Sequence, residues 1–115
     1  MKLGHTEIFV VNPMKSKDFY EKVLGFEVEE IQGGKFVWLN KNGNKYLLRL
    51  GQKYNNSSEY QNTNIATVLY CEDLDQTVEE LKNRGLKFKG TDGSERCLTF
   101  SDPDGNWYQL VNPNE

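Results

Sequence analysis

The sequence predicts an α+β protein of two tandem βαβββ modules, whose curved mixed sheets enclose a cavity. Three observations predict this class. The order of one strand, one helix and three strands occurs over residues 1 to about 52 and again over about 63–115. Gly25 and Gly85 stand at equivalent places, each between a helical and an extended pattern. A polar stretch over 51–63 separates the copies. We interpret residues 1–115 as one domain formed by internal duplication.

The first module opens with a strand pattern over residues 3–11, rich in β-branched and aromatic residues, which Asn12 and Pro13 end. Successive side chains of a strand point to opposite faces. The alternation therefore places four side chains on one face: His5, Glu7, Phe9 and Val11.

Apolar residues at helical spacing predict a helix over about 15–24, with Ser16 as a candidate N-cap and Gly25 as the left-handed residue that ends it. The pairs Gly33-Gly34 and Asn42-Gly43 are favoured hairpin turns. They separate three predicted strands, over 26–31, 35–39 and 45–50.

The connection over 51–63 contains almost nothing apolar except two tyrosines, which predicts a mobile segment. In the second module Asp73 is the candidate N-cap of a helix over 74–84 that Gly85 ends. The expected strands of this module cover 64–71, 86–89, 96–100 and 107–111.

A specific turn feeds the last strand. Pro103 sets the backbone for the second position of a turn, Asp102 and Asp104 can bond their own backbone, and Gly105 accepts a positive φ. A chain reversal is therefore expected just before Trp107.

Composition excludes several classes of partner. Fourteen basic and seventeen acidic residues give a net charge of −3 with both signs scattered, so neither nucleic acid nor a membrane surface is an expected partner. No apolar run approaches the ~20 residues of a membrane span, and the first residues lack a signal-peptide pattern. We expect a cytoplasmic protein in which Cys71 and Cys97 are buried, reduced thiols.

Three motifs together resemble the vicinal oxygen chelate superfamily, which groups glyoxalase I, extradiol dioxygenases, fosfomycin-resistance enzymes and bleomycin-binding proteins. They are Gly4-His5 in the first strand, the run from Phe19 to Phe26, and the closing Asp-Pro-Asp-Gly-Asn turn at 102–106. The resemblance covers nearly the whole chain and implies a glyoxalase/bleomycin resistance-like fold. It does not select one activity, because one scaffold hosts many chemistries.

The resemblance also implies four positions for metal ligands: a His on the first strand, an acidic residue on the fourth, a His on the fifth and a Glu on the last. In this sequence those positions hold His5, Arg49, Ala66 and Gln109. A catalytic metal site normally uses at least three protein ligands, and a guanidinium repels cations. We therefore expect no metal cofactor, and any metal that did bind would use His5 and Gln109.

The candidate site residues each have a structural alternative. His5 is either a packed, hydrogen-bonded side chain or a functional group. Glu7 and Arg49 can form a buried ion pair across the sheet, serving either structure or ligand binding. Gln109 can hydrogen-bond a ligand or His5 but cannot act as a general base. Phe9, Trp38 and Trp107 are strand aromatics that suit either a core or a ligand pocket.

Two functions follow from this reading. The first is a binding protein without a metal that sequesters an aromatic or hydrophobic small molecule, as bleomycin-binding members of the resembled superfamily do. The second is a glyoxalase-like lyase or isomerase, which would use His5 with a divalent metal, or His5 or Glu7 as a base. The missing ligands favour the first.

The resemblance further implies a homodimer in which the first module of one chain faces the second module of its partner. His5 and Arg49 of one chain would then meet Gln109 of the other in a shared cavity. A monomer whose modules close on each other remains the alternative.

Overall fold

The computed structural model describes residues 1–51 and 57–115. The chain divides into two compact units, Met1–Tyr54 and Asn55–Glu115. Both combine a sheet with helical segments, so the predicted α+β class is confirmed. None of the helices in the described ranges is long and apolar enough to cross a membrane.

Unit 1, the first of these units, has the predicted order of one strand, a helical segment and three strands. Its elements are β1 (Thr6–Val10), α1 (Pro13–Asp18), a π-helical turn (Phe19–Val23), β2 (Glu27–Gln32), β3 (Phe36–Lys41) and β4 (Asn44–Leu50). The sheet order is β1-β4-β3-β2, with β1 parallel to β4 and the other neighbours antiparallel. The first strand thus pairs with the last strand of its own unit.

One face of this sheet forms the core of unit 1. The register pairs Ile8 with Leu48 and Val37 with Leu48, so these side chains share a face, and all three are buried. Tyr20 of the π-helical turn packs against Phe26, whose ring in turn contacts Tyr46 on the same face. The opposite face carries five of the seven predicted site residues.

The helix of unit 1 begins earlier than predicted, and its N-cap is Asn12, not Ser16. The Asn12 side chain accepts a hydrogen bond from the Lys15 backbone amide at 3.2 Å, and Pro13 occupies the first turn, where a missing amide costs nothing. Ser16 lies buried inside the helix. Gly25 follows with a φ of 74°, the predicted left-handed ending.

Unit 2, the second unit, consists of a 3₁₀ turn, three strands and one helix. In chain order these are the turn (Tyr60–Asn62), β5 (Ala66–Tyr70), α2 (Leu74–Asn83), β6 (Leu98–Ser101) and β7 (Trp107–Val111). The sheet order is β5-β7-β6, with β5 parallel to β7. The predicted cap Asp73 accepts from the Gln76 amide at 3.0 Å.

The strand predicted over 86–89 is wrong, because no regular strand forms over these described residues. The Leu86 amide instead donates to the Leu81 carbonyl and Gly85 to Lys82, which is a Schellman ending of α2. Gly90, at a φ of 86°, then turns the chain. Pairing with β6 is reduced to a few bonds such as Lys89 to Thr99 at 2.7 Å. Over its described residues, 57–115, unit 2 therefore has three strands and not four.

The turn before β7 forms as predicted. One carboxylate oxygen of the buried Asp102 accepts the backbone amides of Asp104 and Asn106, both at 2.9 Å. Gly105 has a φ of 85°. In the predicted mobile connection, residues 52–56 lie outside the described residues, and the 3₁₀ turn shows that its later part is ordered. Cys71 and Cys97 are free thiols, but they are partly exposed, not buried.

Candidate functional site

The sheet face of unit 1 opposite the core carries five of the seven predicted site residues. We call it the aromatic face and define it by His5, Glu7, Phe9, Phe36, Trp38, Leu47 and Arg49. Strand register establishes this grouping for the strand residues, since Glu7 pairs with Leu47, Phe9 with Arg49, Phe36 with Arg49 and Trp38 with Leu47. His5 precedes β1 and joins the face through its contacts with Glu7 and Trp38. The predicted alternation is thereby confirmed for Glu7 and Phe9, whereas His5 and Val11 lie just outside β1.

Arg49 lies at the centre of the aromatic face between two rings. Its guanidinium carbon is 5.7 Å from the centroid of Phe9 and 5.4 Å from that of Phe36, both within the range of cation–π attraction. Phe9 is 47% exposed, which is unusual for so large an apolar side chain. Within residues 1–51 and 57–115, the buried Nε of Arg49 has no hydrogen-bond partner. The row Phe9, Arg49 and Phe36 thus combines apolar surface with a fixed charge.

Glu7 joins Arg49 to His5. Arg49 donates from a terminal guanidinium nitrogen to one Glu7 oxygen at 3.0 Å, and His5 Nε2 contacts the other oxygen at 3.0 Å. The His5 hydrogen bond, followed by that from Arg49, lowers the pKa of Glu7 below its ordinary value. The predicted ion pair forms, but its side chains are 36% and 39% exposed, so it is not a buried pair.

Trp38 is held in place from two sides. Its ring meets the His5 ring edge-on at a centroid distance of 4.7 Å, and its Nε1 donates to the Gln32 side-chain oxygen at 3.3 Å. Beside it opens a groove of about 820 Å³, lined by residues 3–6, β2 and the β3–β4 hairpin. Glu29, Glu30, Lys45 and Tyr46 contribute to its walls. The groove has the size of a small-molecule site.

The two remaining predicted site residues, Gln109 and Trp107, belong to unit 2. The Gln109 amide nitrogen donates to Asp92 at 2.9 Å, and its oxygen accepts from the Tyr60 hydroxyl at 3.4 Å. Burial, together with the Asp92 charge, raises the pKa of Tyr60, so its phenol remains a donor at neutral pH. Gln109 is only 9% exposed, and both ends of its amide are engaged within its own unit.

Trp107 is buried and also has partners within unit 2. Its Nε1 donates to the Ser57 carbonyl at 2.9 Å, and the Tyr60 ring packs edge-on against it at 6.0 Å. Lys89 lies 5.7 Å from its ring centroid. Ala66, at the third position implied for a metal ligand, pairs with Trp107 in the sheet and offers no side-chain donor.

The predicted site residues therefore form one cluster in unit 1 and another in unit 2. That His5, Arg49 and Gln109 line one cavity remains a prediction, because it concerns both units. In the part of the chain that the structure describes, no group of three or more His, Cys, Asp and Glu side chains could hold a metal ion.

Sequence reasoning missed several side chains that the structure brings to these clusters. Asp92 and Tyr60 contact Gln109 from irregular or 3₁₀ segments, where no periodicity indicates which way a side chain points. Gln32 and Glu30 lie on β2 beyond a register shift between Val28 and Glu30. Such a bulge changes the face that later residues occupy, so simple alternation could not place them.

Comparison with curated proteins and with solved structures finds relatives that match this chain over nearly its whole length. An uncharacterized protein of Bacillus subtilis (strain 168), YetH, is 27% identical over 117 residues, covering 95% of this chain and 96% of that protein. TnmS3, an antibiotic binding protein from Streptomyces sp. CB03234, has a TM-score of 0.68 at 25% identity, with 98% of each chain covered.

A lactoylglutathione lyase from Agrobacterium tumefaciens is similar in fold, with a TM-score of 0.71 at 15% identity over 97% of this chain and 93% of that one. The family model described as Glyoxalase/Bleomycin resistance protein/Dioxygenase superfamily matches residues 2–110. The chain therefore belongs to the glyoxalase/bleomycin resistance protein/dioxygenase superfamily.

Proposed function

We propose that this protein binds an aromatic or hydrophobic small molecule on the aromatic face of unit 1 and sequesters it. The observation that carries the proposal is the row of partly exposed rings beside the fixed charge of Arg49. Apolar walls with a few fixed polar groups are typical of small-molecule sites. The similarity to an antibiotic binding protein supports the same class of function.

We also propose that this protein does not hold the metal that the resemblance associates with catalytic members. The support for this proposal is the chemistry of the four positions. Arg49 is a cation whose charge is directed at Glu7, Ala66 has no donor atom, and the amide of Gln109 is engaged by Asp92 and Tyr60. His5 alone is an ordinary ligand, and one imidazole does not fit a site that needs three.

We also propose a homodimer in the cytoplasm, with no nucleic acid or membrane as partner. The free thiols of Cys71 and Cys97 support a reducing compartment. The dimer rests on the resemblance to family members whose cavities are shared between two chains. In that arrangement, the aromatic face of one chain meets Gln109 and the side chains around it in unit 2 of its partner.

One contact favours a second candidate function. The Glu7 carboxylate accepts from His5 Nε2 at 3.0 Å, which orients the imidazole and leaves its other nitrogen free to take a proton. A glyoxalase-like lyase or isomerase could use His5 in this way, as a base or with a divalent metal. A His5→Gln variant would then lose turnover while keeping ligand affinity, whereas a binding protein has no turnover to lose.

Calorimetric titration with 1-naphthalenemethanol, a neutral aromatic probe, tests the binding function. We expect saturable binding that weakens about tenfold, or about 1.4 kcal/mol, in Trp38→Ala, because this change removes the ring beside the groove. Ile31→Ala is the matched control, since Ile31 pairs with Val37 and lies toward the core side of the same sheet. Equal losses in both variants would contradict the assignment of the aromatic face.

Metal analysis of protein purified without chelator tests the second part of the proposal. We expect a substoichiometric metal content and no change in probe affinity after dialysis against a chelator. A stoichiometric transition metal that is lost in His5→Gln would overturn the metal-free function and favour the lyase alternative.

A further inference from the structure

The groove beside Trp38 carries more negative than positive charge. Glu29 and Glu30 bring two carboxylates to its wall, and Lys45 brings one ammonium group. Lys45 contacts Glu29 at 3.9 Å, so these two charges largely compensate each other. Glu30 has no ion-pair or hydrogen-bond partner among the residues whose contacts are described. One carboxylate of the groove therefore remains uncompensated.

That carboxylate lies next to the indole of Trp38. Glu30 and Trp38 are directly opposed in the register of β2 and β3, so their side chains leave the sheet on the same face. Opposed residues have Cβ atoms about 4.5–5.5 Å apart. The contacts of Trp38 with His5 and Gln32 fix the plane of the ring at this place. The groove thus joins an immobilised indole to a free negative charge.

The other charges near Trp38 do not offset this carboxylate. Among the seven residues that define the aromatic face, Arg49 is the only cation when His5 is counted as neutral, and its guanidinium donates to Glu7 at 3.0 Å. An anionic ligand would have to compete with Glu7 for Arg49 and would meet Glu30 in the groove. A cation would instead find a carboxylate and an indole, the ring that attracts cations best.

We propose that the groove receives a positively charged amine of the ligand, with the ammonium group near Glu30 and Trp38 and the aromatic part extending over the aromatic face. This inference rests on the proposed function and adds the charge class of the ligand. Asn44, which also lines the groove, has a side-chain oxygen that can accept a hydrogen bond from the amine.

Three probes that share one ring system test this proposal: 1-naphthylmethylammonium, 1-naphthalenemethanol and 1-naphthoate. We expect the cation to bind about tenfold more tightly than the alcohol and the anion to bind most weakly. The indole N–H resonances of ¹⁵N-labelled protein report the site directly, because the chain has two tryptophans and Trp38→Phe assigns one of them. The Trp38 signal should shift most with the cation.

Glu30→Gln removes the charge while keeping the shape of the side chain. In this variant we expect the advantage of the cation over the alcohol to fall from about tenfold to about twofold, because the cation loses its carboxylate partner. Glu27→Gln is the matched control, because Glu27 is an exposed carboxylate of the same strand that does not line the groove. It should keep the full tenfold preference.

The outcomes separate this inference from the proposed function. If all three probes bind equally, or the anion binds best, the charge class is wrong while the binding function stands. If none binds at millimolar concentration, the proposed function itself fails. A cation preference that survives in Glu30→Gln would also overturn the assignment, since the selectivity would then come from elsewhere.

Discussion

Glu7 connects His5 and Arg49 on the aromatic face, and its protonation should be visible in stability. Because His5 and Arg49 lower the pKa of folded Glu7 below its ordinary value of 4.5, the carboxylate stabilises the fold at neutral pH. This stabilisation is fully present above the unfolded pKa and is lost as the pH falls through the lower folded pKa. We expect Glu7→Gln to be less stable than the wild type at pH 7, with the difference shrinking in acid.

Urea denaturation of both proteins between about pH 7 and pH 3 measures this difference. Glu27→Gln serves as a control, because no contact of its carboxylate is found among the described residues. Its difference from the wild type should be small throughout. A gap between Glu7→Gln and wild type that stays constant down to pH 3 would mean that the contacts of Glu7 do not depend on its charge.

Gly51 follows β4 at a place where a side chain has no room. A Cβ atom there would lie 2.5 Å from the Cβ of Phe9, closer than such atoms approach in proteins. The Gly51 amide also donates to the Val10 carbonyl, so the backbone cannot move away without losing that bond. We expect Gly51→Ala to lower the free energy of unfolding by about 1–3 kcal/mol through overpacking.

Gly4→Ala is the matched control for this prediction. A Cβ at Gly4 meets nothing within 4 Å, so the same chemical change carries no steric cost. The denaturant midpoints of Gly51→Ala and Gly4→Ala, fitted with the same dependence of the unfolding free energy on denaturant, test this prediction. Equal stabilities would show that the backbones at Gly51 and Phe9 can move apart without cost, since rotation of the Phe9 ring does not move its Cβ.

Among the elements, the turn before β7 depends most clearly on one side chain. Asp102 accepts two backbone amides and the Asn106 side-chain amide, the latter at 2.8 Å, while it is itself buried. Asp102→Ala leaves these donors without their acceptor, and we expect a loss of about 1–3 kcal/mol in chemical denaturation.

Asp102→Asn gives the comparison for the Asp102→Ala variant. It keeps one oxygen for the two backbone amides, and Asn106 can rotate its amide to suit the new group. We expect it to lose less than Asp102→Ala. If both variants lose the same amount, the negative charge of Asp102 matters more than its geometry as an acceptor.

The elements also show where sequence periodicity was sufficient. Alternation predicted the strands of unit 1, and residue type predicted the cap at Asp73 and the left-handed glycines. Each of these features depends on residues that are close together in the chain. Sequence periodicity does not identify Asn12 as the cap, because an Asn-Pro pair ends a strand as readily as it starts a helix. It also failed at Leu86, where the backbone amide completes the end of α2 instead of a strand.

For the candidate site, too, the residues on regular strands were predictable from the sequence and those on irregular segments were not. Alternation along β1 placed His5, Glu7 and Phe9 together, and register then brought Trp38 and Arg49 to them. The partners of Gln109 come from segments without periodicity, so their positions depend on tertiary packing that no local pattern encodes. The arrangement of Glu30 beside Trp38 depends on the bulge in β2.

For the whole molecule, the homodimer is a prediction that sedimentation can test. We expect a sedimenting mass near twice the 13.3 kDa of the chain at micromolar concentration. If the cavity is shared, affinity for the naphthalene probes should fall when the protein is diluted below the dimer dissociation constant. A mass near 13.3 kDa together with undiminished affinity would refute the shared site and leave each chain to bind alone.

The parallel pairing of β1 with β4 has a consequence for folding kinetics. It joins positions far apart in the chain, such as Thr6 and Tyr46, whereas β3 and β4 meet through the tight turn between Lys41 and Asn44. Local hairpins close rapidly, and distant pairings first require the entropy of a large loop to be overcome. We therefore expect β1 to join the sheet late, so that Gly51→Ala accelerates unfolding and leaves the refolding rate almost unchanged.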